Sequence, residues 1–210
     1  MYRLPHGRFM PEASRSDELD AMRQSAYSPG DSSSLRELRA EGRKTARERI
    51  LLLLDPKSFV EVDAFVQHRA GDHNMHLHRP LGDGVVAGHG MIDGRRVVCF
   101  AQDYSVFSGS MGEMHAKKVA KIAEFAEKSQ LPLIGIWDGD GQRVEEGVTS
   151  LGATGELLDI LVACSGRIPL FSLVLGTVSG VSALAAGLSD FVILGSDPVS
   201  YTHLRAHETP

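Results

Sequence analysis

Residues 131–147 read LPLIGIWDGDGQRVEEG, and this stretch decides the fold. An apolar run over 131–137 passes directly into a loop carrying Gly139, Gly141 and Gly147, after which 149–164 reads as a helix. A short continuous apolar run bounded by turn residues fits a strand buried on both faces, and such strands belong to parallel sheets covered by helices. The same unit recurs downstream: a strand over 168–175, a small-residue loop over 176–180, a short helix to about Gly187 and a strand over 191–194. Upstream, apolar segments at 85–87 and 91–92 lead into Asp93-Gly94, a hairpin-turn dipeptide, and 97–101 returns. A helix then begins, with Ser110 expected as its cap. Met111, Met114, Ile122 and Phe125 lie along one side, and Glu113/Lys117 and Glu124/Lys128 form supportive pairs. Strand–helix alternation with short apolar strands makes the fold class α/β.

Composition narrows the possibilities. The chain has 210 residues, 42% of them hydrophobic, with a net charge of −5 and two cysteines, Cys99 and Cys164. That length bounds the protein to about one domain with an appendage. Two cysteines make no disulfide framework and fit a reducing compartment, and the acidic balance argues against nucleic acid as a partner. No uninterrupted apolar run reaches the roughly 18 residues of a membrane span. The first 49 residues hold 10 of the 22 basic and 8 of the 27 acidic side chains, so they carry +2 and the remainder −7. Residues 1–33, with Pro5, Pro11, Pro29, Gly30 and a serine run, read as a disordered leader. Its acids Glu12, Asp17, Glu18 and Asp20 disfavour a mitochondrial transit peptide, so a cytoplasmic setting is expected over the mitochondrial matrix.

Ser34 is expected to cap one helix running from Leu35 to Leu54 and stopping at Asp55-Pro56. Arg43, Lys44, Arg47 and Arg49 give it a basic face, read as a solvated surface, with an anion-facing or subunit-facing patch as the alternative. His73, His76 and His78 cluster in a loop over 68–82, but no cysteine or placed carboxylate completes a ligand set, so no metal is expected. His89 and His115 have no nucleophilic partner at motif spacing and are read as structural.

The chemistry concentrates where strands turn into helices. One cluster is Gly139, Gly141 and Gly147; another is Gly176, Ser179 and Gly180. Ligands of parallel sheets bind at carboxyl strand ends, and the first turn of a helix aims free N–H groups outward at its positive end. Two such turns side by side could hold one anionic oxygen; tight turns and close helix packing explain the glycines equally. Asp138, Asp140, Glu145 and Glu146 form an acidic cluster read as helix-terminal capping rather than as a general base. A site of backbone donors without a side-chain nucleophile suits stabilisation of a thioester enolate.

Four segments, KTARERILLLLDPKSFVEVD (44–63), GDGVVAGHGMIDGRRVVCFAQDYSVFSGSMGEMHAKKVAKIAEFA (82–126), WDGDGQRVEEGVTSLGATGELL (137–158) and GTVSGVSALAAGLSDFVIL (176–194), resemble in order the amino-terminal part of biotin-dependent acyl-CoA carboxylase carboxyltransferase subunits, the propionyl-CoA and acetyl-CoA carboxylase beta chains. The resemblance implies a crotonase-like superhelix of strand–strand–helix repeats, here incomplete. It implies carboxyl transfer from carboxybiotin to the α-carbon of an acetyl- or propionyl-CoA, with the biotin ring accepting the α-proton. The family holds the thioester oxygen on the N–H groups of a Gly-Gly pair, which matches Gly180 and Val181. Its CoA loop, Ser-Gly-Gly-Ala-Arg-Ile-Gln-Glu-Gly, matches 139–147. Gly139, Asp140, Gly141, Gln142, Arg143 and Val144 are therefore expected to line the CoA channel, with Arg143 a phosphate or adenine contact. Val181, Asp140 and Ser108 depart from the family's glycines. No metal is implied in this chain. The implied partners are a biotin carboxylase and a biotin carrier subunit, with homo-oligomerisation of the full-length parent and neither nucleic acid nor membrane.

The domain reading is a leader over 1–33, a truncated acyl-CoA-binding domain over 34–200 and a non-native tail over 201–210, where YTHLRAHETP abandons the pattern. The fragment is expected to be inactive alone. Two other readings stand: a different crotonase-like enzyme acting on CoA thioesters (a decarboxylase or hydratase), and a non-catalytic assembly subunit docked through the basic helix.

Overall fold

A six-stranded sheet in sequential order organises the chain, described over residues 15–195 of this computed structural model. Two helices, α1 (Arg15–Tyr27) and α2 (Ser32–Ala40), precede α3 (Ala46–Leu53) and the short strand β1 (Val60–Val62). The hairpin β2 (Val85–Ile92) and β3 (Arg95–Gln102) follows, then α4 (Glu113–Lys128), β4 (Leu133–Gly139), α5 (Gly147–Cys164), β5 (Leu170–Val178), α6 (Gly180–Gly187) and β6 (Phe191–Leu194). β1, β2 and β3 pair antiparallel, and β3 through β6 pair parallel. Ile92 faces Arg95 across the hairpin, and Asp93 and Gly94 both take positive φ, the geometry a two-residue turn requires.

The sheet has a core on each face. On one, Val119, Ile122, Ala123, Leu157 and Leu161 of α4 and α5 and the alanines of α6 cover Val85, Phe100, Leu133, Trp137 and Val174. On the other, Ala46, Ile50 and Leu54 cover Val86, Val97, Cys99, Ile134 and Ile136. Side chains alternate across a strand, so β4 contributes to both cores, which is why its sequence is apolar without alternation. α5 is apolar and long enough by composition to cross a membrane, but Leu157, Leu161 and Cys164 are buried in the core against α4.

Four local expectations need correcting. The helix expected over 35–54 is two helices. Glu41 ends the first, Gly42 turns with φ +70°, and Thr45 opens the second through a capping box with Glu48. Asp31 rather than Ser34 caps α2, accepting from Ser33 N at 3.0 Å and Ser34 N at 2.8 Å. Over 15–33 the expected leader contains α1 and the start of α2, with Ala26 buried and the Ala26 and Tyr27 carbonyls accepting from Arg47, while its residues 1–14 lie outside the described residues. Finally, Ser110 does not cap α4: its hydroxyl donates to Phe107 O at 2.7 Å, and Gly112 occupies the cap position. The tail over 201–210 lies outside the described residues.

Candidate functional site

Three loops meet at the carboxyl ends of β3, β4 and β5: 103–112, 138–147 and 176–181. The first contains an arch of three consecutive left-handed residues, Phe107 (φ +48°), Ser108 (φ +51°) and Gly109 (φ +65°). Such a run is costly for non-glycine residues and survives only where the surroundings fix it. Here the second loop does so. Asp140 N donates to Ser108 O at 3.0 Å, Met111 N to Gly141 O at 2.6 Å and Arg143 N to Met111 O at 3.0 Å, which zips the two loops together. A side chain on Gly109 would strike the Asp138 carbonyl and Gly139, so glycine is required there by packing as well as by φ.

The sheet brings the two glycine turns expected from the sequence into contact. Gly139 pairs with Val178 beyond a register shift at the end of β4. Gly141, at φ +80°, lies so close to Ser179 that a Cβ would come within 3.0 Å of its carbonyl and hydroxyl oxygens. Ser179 is the N-cap of α6, and its side chain makes no capping hydrogen bond, so the helix presents first-turn N–H groups without a side-chain acceptor. Gly180 starts α6 with φ +52°, is exposed, and has open space where a side chain would project. Val181 has no such left-handed φ, and its side chain packs against the core. The valine therefore leaves the face of the turn clear, because the left-handed position belongs to Gly180 alone.

The remaining residues expected in the loop divide into two groups. Asp140 and Val144 are exposed, Val144 at 77%, and both face outward. Partial burial, then the neighbouring Asp138 charge, raises the Asp140 carboxyl above its ordinary range, with Arg43 opposing. Gln142 donates to Ser150 Oγ at 2.9 Å, tying the loop to α5. Arg143 is 1% exposed and fully engaged inside the protein. Its Nη1 reaches Asp83 Oδ1 at 2.6 Å and Glu146 Oε1 at 2.8 Å, its Nη2 donates to Ser110 O at 2.9 Å, and its guanidinium lies 4.5 Å over the Phe107 ring. A phosphate or adenine contact from Arg143 is therefore replaced by a role within the loops.

Two further arrangements were not expected from the sequence. Arg43 Nη2 and Arg49 Nη1 grip the two oxygens of buried Asp138 at 2.5 and 2.6 Å, which fastens the α2–α3 junction to the end of β4. Their basic face is thus turned inward at these positions, and Asp138 is an ion-pair partner rather than a cap. Arg43 also stacks on Tyr104 at 4.3 Å, and both arginines line a cleft of about 910 Å³ with Lys44, Leu53, Leu173 and Thr177. Asp83, 0% exposed, is the other omission; it accepts from Arg143 and, through Oδ2, from His115 N at 2.9 Å. Capping also crosses between elements: Glu146 Oε2 accepts Glu113 N at 2.7 Å, so Glu146 serves α4 rather than its own helix. His115 is buried and far more readily neutral than an ordinary histidine, through burial first and then the charges of Arg143 and Lys118. Among the described residues no group of His, Cys, Asp and Glu could hold a metal ion.

An α/β sheet, parallel from β3 onward, brings the uncapped first turn of α6 beside a second glycine turn at its carboxyl strand ends, the arrangement of a crotonase-like class of fold. The Carboxyl transferase domain matches residues 37–206, so the chain belongs to the carboxyl transferase domain family. It is 46% identical over 177 residues to the biotin-dependent acetyl-/propionyl-coenzyme A carboxylase beta5 subunit of Mycobacterium tuberculosis, covering 84% of this chain and 32% of that one. The propionyl-CoA carboxylase beta chain of Saccharopolyspora erythraea is 42% identical, with coverages of 80% and 31%. Among solved structures, transcarboxylase 12S with hydrolysed methylmalonyl-coenzyme A bound superposes with a TM-score of 0.87 at 33% identity, covering 92% of this chain and 38% of that one. The chain thus spans about a third of the length of these relatives. Its fold is the crotonase-like α/β arrangement of the carboxyltransferases.

Proposed function

We propose that the chain is the acyl-CoA-binding part of a biotin-dependent carboxyltransferase subunit, acting on a short acyl-CoA such as acetyl- or propionyl-CoA. The observation that carries this reading is the uncapped first turn of α6 in contact with the Gly141 loop. In it, the Gly180 and Val181 N–H groups donate to the thioester oxygen and strengthen that contact as negative charge develops when the α-proton leaves. Gly139, Gly141 and Gln142 form the wall beside it, and exposed Val144 and Asp140 border the channel. Asp140 sets a carboxylate near an anionic ligand, and partial burial with the neighbouring Asp138 charge makes that carboxyl easier to protonate than an ordinary aspartate. Carboxybiotin, carried by a partner subunit, supplies the carboxyl group. A biotin carboxylase and carrier as partners, self-association of the full-length subunit and a cytoplasmic setting belong to the same reading. Free, buried Cys99 and Cys164 support the reducing compartment.

The test is isothermal titration of the chain with acetyl-, propionyl- and desulfo-CoA, repeated for Val181→Pro. Saturable binding of the thioesters that weakens in the variant supports the reading; absence of binding by any CoA species contradicts it.

A further inference from the structure

We propose that Asp83, which lies outside all three loops of the site, is the positioning residue that holds the 139–147 loop against the first turn of α6. This rests on the acyl-CoA reading above. Asp83 takes φ +48° between Gly82 at φ +81° and Gly84 at φ +76°, so three successive left-handed residues turn one carboxylate inward just before β2. That carboxylate has two separate tasks. Oδ1 accepts from Arg143 Nη1 at 2.6 Å, and Oδ2 accepts the first-turn N–H of His115 in α4 at 2.9 Å, where Gly112 offers no side-chain cap.

From Asp83 the chain of contacts runs to the site through Arg143. The guanidinium also binds Ser110 O and covers the Phe107 ring, bracing the left-handed arch. The Arg143 backbone N–H donates to Met111 O, and Met111 N donates to Gly141 O, whose residue rests on Ser179. Glu146 supplies the second carboxylate on Arg143 Nη1 and caps Glu113 N, so the arginine is balanced from two sides. Removing Asp83 leaves a buried guanidinium with half its anionic support and an α4 N–H without its acceptor. The loop then moves, and small displacements of positioned groups can cost about 10²-fold in rate.

The experiment uses the full-length carboxyltransferase with its biotin-bearing partner, comparing Asp83→Asn with Asp63→Asn, which breaks only the exposed Lys121 pair. Asp83→Asn is expected to raise KM for acyl-CoA at least about tenfold and lower kcat about 10- to 100-fold. Asp63→Asn is expected to match the wild type in KM. A destabilising effect alone reduces the active fraction, so kcat falls while KM stays; that result, or unchanged kinetics, overturns the proposal. Should Asp83→Asn fail to fold, Arg143→Lys reads the same link, because lysine keeps the charge but loses the fork; a folded Arg143→Lys enzyme with wild-type KM overturns it equally. If the wild type itself shows no saturation with acyl-CoA, the functional reading fails rather than the role of Asp83.

Discussion

Gly180 carries the left-handed φ at the start of α6, and this separates two requirements that a Gly-Gly pair would merge. Only the first position needs glycine for its backbone; the second needs only its N–H. Val181→Gly in the full-length enzyme should therefore keep turnover close to the wild type. Proline is tolerated in the first turn of a helix, so Val181→Pro deletes one donor with little change in melting temperature and should cost about 10²–10³ in kcat. Proline at Gly180 is a poorer test, since a φ of +52° is closed to it. Lys118 gives a second prediction. It is buried with Nζ on Val85 O at 2.7 Å, and burial lowers its pKa to about 8 from 10.5. Below pH 8 both folded and unfolded chains hold the proton; between 8 and 10.5 the unfolded chain holds more, so stability from this group rises with pH. Urea unfolding should show the wild type gaining on Lys118→Met across that window, and a flat difference would contradict the assignment.

The junction between α2 and α3 is the element that the periodicity misread. Its basic residues recur at spacings that suit a solvated helix face, yet Arg43 and Arg49 pair with an aspartate about ninety residues away. No local spacing reveals such a partner, because the sheet creates the proximity. The break has local signals that the single-helix reading passed over: Gly42 and the Thr45–Glu48 pair form a stop and a start. Asp138→Asn should destabilise by about 3–5 kcal/mol in equilibrium unfolding, since it strands two guanidiniums. Thr45→Ala should cost about 1 kcal/mol, the usual worth of a lost N-cap. The hairpin at Asp93-Gly94, the buried strand β4 and the two glycine turns were readable because turn chemistry and apolar runs are local. The inward course of Arg143 was not, because it depends on Asp83 from before β2.

At the scale of the whole molecule, strand order is sequential and parallel from β3 onward, so successive carboxyl strand ends collect the three loops on one rim. That convergence follows from α/β alternation and was legible; which loop residues face outward was not. The chain spans about a third of its relatives, and we expect it alone to form no malonyl- or methylmalonyl-CoA from carboxybiotin in a product assay. Detectable product would show that these residues suffice. We propose that backbone donors of α6 polarise a thioester oxygen. This is tested most directly by infrared difference spectroscopy of propionyl-CoA labelled with ¹³C at the thioester carbonyl, free and bound. Binding should shift the carbonyl band to lower frequency, with most of that shift lost in Val181→Pro. A bound carbonyl at the free-solution frequency, or an equal shift in the variant, would contradict it.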